Sequence, residues 1–229
     1  MTVRWQCGSW NPDGTLIMSW DVLNLSLDLM RKLLPDAEFH VNWQRQMHGE
    51  ERPDVQYHQQ DPRKYSPPSM GKLDPLRFNV NDHELWLDND HLMWAFPPCW
   101  DDWVKSDKAA LIWRLKSSYC GTYTHTCKIA GTSGFFGLPP GYTPPPFDTI
   151  VPFDMNRDQE EMGYVSQFLG EFEEQYFVDE GKEFTCYTPP IPHWETCQEF
   201  GTCGTHLTGV NRGSWNPYPI MQEIRRRFL

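Results

Sequence analysis

The first 43 residues constrain the fold more than any other part of the chain. Thr2 to Gln6 alternates around Val3 and Trp5, the period of a strand with a buried face. A turn-rich stretch follows, Cys7-Gly8-Ser9 and then Trp10-Asn11-Pro12-Asp13-Gly14. From Leu16 to Leu34 apolar residues recur at Val22, Leu25, Leu29, Met30 and Leu33, which is helical spacing; Ser19 or Asp21 can cap the helix and Pro35 stops it. Phe39 to Trp43 then reads as a second strand. Strand, helix, strand predicts two parallel strands joined by a right-handed crossover, and so an α/β protein with a mostly parallel sheet flanked by helices. Ligands bind such sheets beyond the carboxyl ends of their strands. Gly8 and Ser9 are therefore candidate nucleotide contacts, if they are more than an ordinary strand-to-helix loop.

The second constraint is His83 to Pro98, HELWLDNDHLMWAFPP. The apolar run Leu85-Trp86-Leu87 suits a buried strand, and Asp88, Asn89 and Asp90 follow at its end. If the chain stays extended, Asp88 and Asp90 face the same way. Two carboxylates so placed suit Mg²⁺ or Mn²⁺, hard cations that keep positions open for water and phosphates. The competing reading is a solvated turn, since Asp and Asn are ordinary turn formers.

A length of 229 residues suits one domain and is short for two. The expectation is a single unit over 1–229, with a first half at 1–98 that carries the opening β-α-β unit and the acidic triplet and a second half at 99–229. Twenty prolines imply long loops between the elements. The formal charge of −11 disfavours non-specific binding to nucleic acid. Arg225-Arg226-Arg227 is a local exception that either begins a basic surface or complements the end of a terminal helix. Neither an apolar run of membrane-spanning length nor a signal-peptide pattern is present, so the expected location is the cytoplasm. Seven cysteines without Cys-x-x-Cys pairs fit that expectation and read as free thiols.

Elsewhere, Gln44 to Pro68 is polar and Pro-punctuated, and reads as a surface loop or a flap. Met70 to Phe78 is helical or irregular and carries Lys72. A helix is predicted from about Asp107, with apolar residues at Ala110, Leu111, Trp113 and Leu115. Thr132-Ser133-Gly134 lies in a small-residue segment where backbone can approach a ligand, or where a strand bulges. Asp158 to Phe177 predicts another helix, with Asp158, Glu160 and Glu161 in its first turn, where acids complement the helix dipole or stand as candidate catalytic carboxylates.

The order of these parts, Lys72-Leu73, a hydrophobic strand, Asp88-x-Asp90 and a Pro-rich exit, resembles the GT-A nucleotide-sugar glycosyltransferases. Gly204 to Trp215, GTHLTGVNRGSW, resembles the His-x-x-Gly-x-x-Lys-Pro-Trp motif of the glycogenin-like retaining members. His206, Gly209 and Arg212 match its spacing, with Arg in place of Lys, no Pro, and Trp215 one residue late. The resemblance implies a GT-A fold and a nucleotide-diphosphate sugar as donor, with 1–98 as the nucleotide-sugar-binding half and 99–229 as the acceptor half. It implies Mn²⁺ or Mg²⁺ on Asp88, Asp90 and His206. Donor contacts would come from Gly8, Ser9, Lys72, Asp88, Ser133, Gly134, Gly209 and Arg212. Likeness to the glycogenin-like enzymes implies retention of anomeric configuration, whereas Glu160 or Glu161 acting as a general base would imply inversion. The acceptor stays open between a glycan, a small molecule and a modified base in DNA, as does the oligomeric state. Two rivals stand beside this reading. One is a sugar nucleotidyltransferase, although Gly8-Ser9-Trp10 lacks the expected Gly-rich signature; the other is a non-catalytic carbohydrate-binding protein, suggested by eleven tryptophans.

Overall fold

The structure is a computed structural model of the chain. It describes residues 1–7, 16–43, 49–61, 68–114, 131–146, 164–179, 182–187, 200–207 and 216–229. The first half runs β1 (Thr2–Cys7), α1 (Leu16–Leu33), β2 (Glu38–Trp43), β3 (Gln56–Gln59), a 3₁₀ turn (Pro68–Leu73), β4 (Glu84–Asp88) and β5 (His91–Met93). The second half runs α2 (Trp100–Lys105), β6 (Ala110–Arg114), β7 (Gly131–Leu138), β8 (Gln175–Asp179), β9 (Phe184–Tyr187), β10 (Gly204–Leu207) and α3 (Tyr218–Phe228), with a helical segment at 164–169. Seven strands form one sheet in the order β3-β2-β1-β4-β7-β6-β8, in which β7 alone runs antiparallel to its neighbours. β5, β10 and β9 form a small second sheet.

The opening unit forms as its periodicity predicts, with β1 and β2 parallel in a register running from Thr2 opposite Glu38 to Cys7 opposite Trp43. α1 is buried on two sides. Leu23, Leu27 and Met30 pack on the main sheet, while Val22, Leu25 and Leu29 pack against Ile220, Met221 and Ile224 of α3 and Leu92 and Leu207 of the small sheet. Arg225 to Arg227 occupy the last turn of α3, where cations complement the helix dipole, and Arg226 and Arg227 pair with Glu223. No helix among the described residues is long and apolar enough to cross a membrane.

Three expectations about local structure are corrected. The helix predicted from Asp107 is instead the short α2, ending at Lys105, followed by strand β6. Ala110 to Trp113 are buried on both faces between β7 and β8, and a continuous apolar run of that length suits a central strand as well as a helix. The helix predicted to reach Phe177 is helical at 164–169, but Gln175–Asp179 is β8, paired in parallel with β6. The stretch read as a surface loop or a flap, 44–68, contains β3, a short polar strand that ends the sheet. A polar edge strand carries little apolar signal.

The two faces of the β3-β2-β1-β4 half differ sharply. Val3, Trp5, Phe39, Val41, Leu85 and Leu87 point to the core shared with α1. On the other face, alternation presents Thr2, Arg4, Gln6, His40, Asn42 and Glu84, all buried. The segment 68–82 straps across this polar face. Arg4 donates to the carbonyls of Lys72 (2.6 Å) and Pro75 (2.7 Å), and both Asn42 and Gln60 donate to those of Gly71 and Asp74. Backbone carbonyls that would lose water on burial are thereby satisfied by side chains chosen by the strand period. Arg4 also pairs with Glu84 (3.0 Å) and stacks over Trp86, and Glu84 takes Arg77 on its other oxygen (3.1 Å).

His40 belongs to the same layer, 5% exposed, stacked on Phe78 and 3.0 Å from His58. Burial, then the neighbouring His58, then Arg4, lower its pKa from 6.5 to about 4. A histidine depressed in the folded state binds its proton more readily when unfolded. Its neutral form thus contributes stability above pH 6.5 that is lost progressively as pH falls towards 4. The loss amounts to at most about 3 kcal/mol. Thermal melts should therefore fall more steeply between pH 6.5 and 4 in the native chain than in His40→Gln; equal slopes would assign the acid sensitivity elsewhere.

Candidate metal and donor site

The site forms where β4 leaves the sheet. β4 ends at Asp88, Asn89 and Asp90 make a turn, and β5 begins at His91. The turn is held by Asn89 N–H donating to the carbonyl of Gln6 at the end of β1, and by Leu207 N–H donating to that of Asp90. Ser26 of α1 donates to the carbonyl of His91 (2.8 Å) while accepting from Trp5 Nε1 (3.0 Å), which ties β5 to the helix and to β1. β10 pairs antiparallel with β5 so that His206 stands opposite His91. Residues 91 and 206 come together only through this long-range pairing.

The two carboxylates do different things. Asp88, about a third exposed, accepts from Lys72 Nζ at 2.7 Å. Lys72 is buried, delivered there by the strap. Asp90 is buried, with Oδ1 3.4 Å from His206 Nε2 and 3.5 Å from His91 Nδ1. Burial opposes ionisation of Asp90, but His206 and then His91 outweigh it, by charge and hydrogen bonding, and hold the carboxyl well below the usual range. For His91, burial and then His206 lower the pKa to about 4 against the pull of Asp90 and Asp88, so the ring is neutral near pH 7. Burial, assisted by Asp90, pushes the nearby Cys7 thiol up to about 12, and it stays protonated.

One ligand atom from each of Asp90, His91 and His206 lies within 4.8 Å of the others. An ionised carboxylate with neutral imidazoles is a donor set that divalent first-row cations accept. His91 supports the fit, since its Nε2 is buried with no hydrogen-bond partner among the described residues. Asp88 borders the group. Its Oδ2 and His91 Nε2 lie 2.9 and 3.3 Å from the point that a Cβ on Gly134 would occupy, with His91 Cε1 at 2.6 Å. Glycine at 134 thus admits these side chains to the sheet. Gly134→Ala should displace the His91 ring or the Asp88 carboxylate and lower stability by about 1–3 kcal/mol, read from denaturant unfolding. An unchanged midpoint would mean that the neighbours yield freely.

Of the other sequence-derived candidates, Gly8, Ser9, Asp158, Glu160, Glu161, Gly209 and Arg212 lie outside the described residues. Ser133 belongs to β7, its side chain outside the described part. His91 and the Arg4-Glu84-Arg77 group were missed by sequence reasoning. A histidine directly after the acidic triplet, opening the apolar run His91-Leu92-Met93, was the available signal for the first. For the second it was Arg4 on the polar phase of a strand whose other phase is Val3 and Trp5.

In comparisons with known proteins, no family model and no curated protein matches the sequence. Solved structures do match. The galactosyltransferase LgtC in complex with donor and acceptor sugar analogs has a TM-score of 0.54 at 11% identity, over 91% of this chain and 87% of that one. An active-site mutant of LgtC has a TM-score of 0.54 at 10% identity, over 91% of this chain and 88% of that one. The chain has the GT-A fold, a mostly parallel central sheet with flanking helices.

Proposed function

We propose that this chain is a metal-dependent glycosyltransferase that moves a sugar from a nucleotide-diphosphate sugar to a hydroxyl-bearing acceptor. The observation that carries the reading is the approach of His206 Nε2 to within 3.4 Å of Asp90, at the carboxyl end of a central strand of a GT-A sheet. LgtC, which shares the fold, is a galactosyltransferase solved in complex with donor and acceptor sugar analogs.

Asp90 and His206 would hold Mn²⁺ or Mg²⁺, with Asp88 beside them. The cation, when bound, supplies positive charge against the negative charge that grows on a departing diphosphate. Asp90 contributes a carboxylate kept ionised in a buried setting. Lys72 holds Asp88 in place at the mouth of the site and presents an ammonium where phosphate oxygens would lie. Gly134 leaves the room in which these side chains sit. Gly8, Ser9 and Ser133 are proposed as further donor contacts. Gly209 and Arg212 follow His206 and are assigned to the diphosphate, the guanidinium as a bidentate partner. Asp158, Glu160 and Glu161 are assigned to the acceptor side.

The test is a thermal-shift screen of nucleotide-diphosphate sugars with and without Mn²⁺, followed by donor hydrolysis. A donor at a hundredfold excess over its dissociation constant stabilises by about 2.7 kcal/mol, a shift of about 5–10 °C for a chain of this size. The shift should need Mn²⁺ or Mg²⁺ and vanish on chelation. A screen in which no nucleotide sugar responds to either cation would end the proposal.

A further inference from the structure

We propose that the cation is held here by one carboxylate and two imidazoles, His91 joining Asp90 and His206, and that this ligand set selects Mn²⁺ and other first-row transition cations over Mg²⁺. This rests on the reading that the site binds a cation, and departs from the two-carboxylate, one-imidazole set that the family resemblance implies. The register of the small sheet supplies the first reason. His91 and His206 are directly opposed on antiparallel strands, so their side chains leave the same face, and the rings stack at 4.2 Å with 13° between planes. Both rings turn a nitrogen towards Asp90 Oδ1, at 3.5 and 3.4 Å.

The second reason is the setting of His91. It is 1% exposed, with Trp113 edge-on at 4.9 Å; Nδ1 has only the long 3.5 Å approach to Asp90, and Nε2 has no hydrogen-bond partner among the described residues. Buried ring nitrogens are normally bonded at full strength, and a cation shared with Asp90 would meet that need. The third reason is Asp88, whose carboxylate is already paired with the buried Lys72 ammonium at 2.7 Å, which weakens it as a ligand for a dication. The ligand atoms of Asp90, His91 and His206 lie within 4.8 Å of one another. A cation at about 2.1 Å from each requires separations of about 4.2 Å or less, so a small side-chain rotation closes the set. Two imidazole nitrogens disfavour Mg²⁺, which prefers oxygen and keeps its waters, while Mn²⁺ accepts them and Co²⁺ or Zn²⁺ accepts them more tightly, in the order in which first-row affinity rises.

Direct titration with Mn²⁺ and with Mg²⁺, and pulsed EPR of the Mn²⁺ complex, test this without recourse to turnover. The native chain should show two imidazole nitrogens coupled to Mn²⁺, and His91→Leu one. Mn²⁺ affinity should fall at least about tenfold in His91→Leu, with a smaller change for Mg²⁺. A single coupled nitrogen in the native chain, or undiminished Mn²⁺ affinity in folded His91→Leu, overturns the assignment of His91 and leaves the glycosyltransferase reading standing. Failure of the native chain to bind Mn²⁺ at all removes the metal site and both readings with it. Should His91→Leu not fold, the native EPR signal decides alone.

Discussion

Asp90→Asn should lower cation-dependent turnover of the donor by at least about 10²-fold, the scale seen when one preorganised electrostatic contact is removed from an active site. The change replaces an anionic ligand with a neutral amide of the same shape. Among Asp90, His91 and His206 it is the only source of negative charge. The fold should survive, because the polar contact to Leu207 runs through the Asp90 backbone and Asn keeps the side-chain volume. The informative measurements are kcat/KM with the donor found by thermal shift, and the melting temperature of the variant without cation. Full activity in Asp90→Asn would disprove a cation-dependent mechanism at this turn. Equal loss of activity and of folding would instead assign Asp90 to structure.

Glu84→Gln carries the largest expected cost in stability, about 3–5 kcal/mol. Glu84 is fully buried, and its two oxygens meet Arg4 and Arg77, which are 2% and 3% exposed. Neutralising it leaves two buried guanidiniums without their counter-ion, and an amide NH₂ facing one of them. The same carboxylate also accepts from the N–H groups of Phe78 and Asn79. For a chain of this length the melting temperature should drop by about 10 °C or more. Replacing the whole group by apolar residues would not restore stability, because Arg77 also donates to the carbonyls of Pro139, Asn79, Asp82 and Tyr142, and Arg4 to those of Lys72 and Pro75. The strap carries Lys72 to Asp88, so Glu84→Gln should also weaken donor binding in whatever fraction remains folded. A melting temperature within about 2 °C of the native value would show that the strap is held by its other contacts.

The parts of the molecule differ in how far local chemistry discloses them. β1, α1 and β2 were legible because each sets a single period against a clear stop, as at Pro35. β6 was not, since a strand buried on both faces shows no alternation and reads equally as a helix segment. β3 and β8 were obscured for the opposite reason, being partly exposed strands whose place is set by neighbours distant in the chain, β2 and β6.

Side-chain identity along the chain was enough to announce a parallel α/β sheet, an acidic turn after a central strand and, as its candidate partner, a histidine near the carboxyl end. Periodicity and functional-group chemistry are local properties, and both are written in consecutive residues. Which carboxylate meets which partner was decided only in three dimensions. Pairing of β5 with β10 sets His206 against His91 and Asp90, while docking of the 68–82 strap on a polar sheet face draws Lys72 to Asp88. Those partners stand far apart in sequence, and only the packing of the strands and the strap that carry them fixes the distances between their charges.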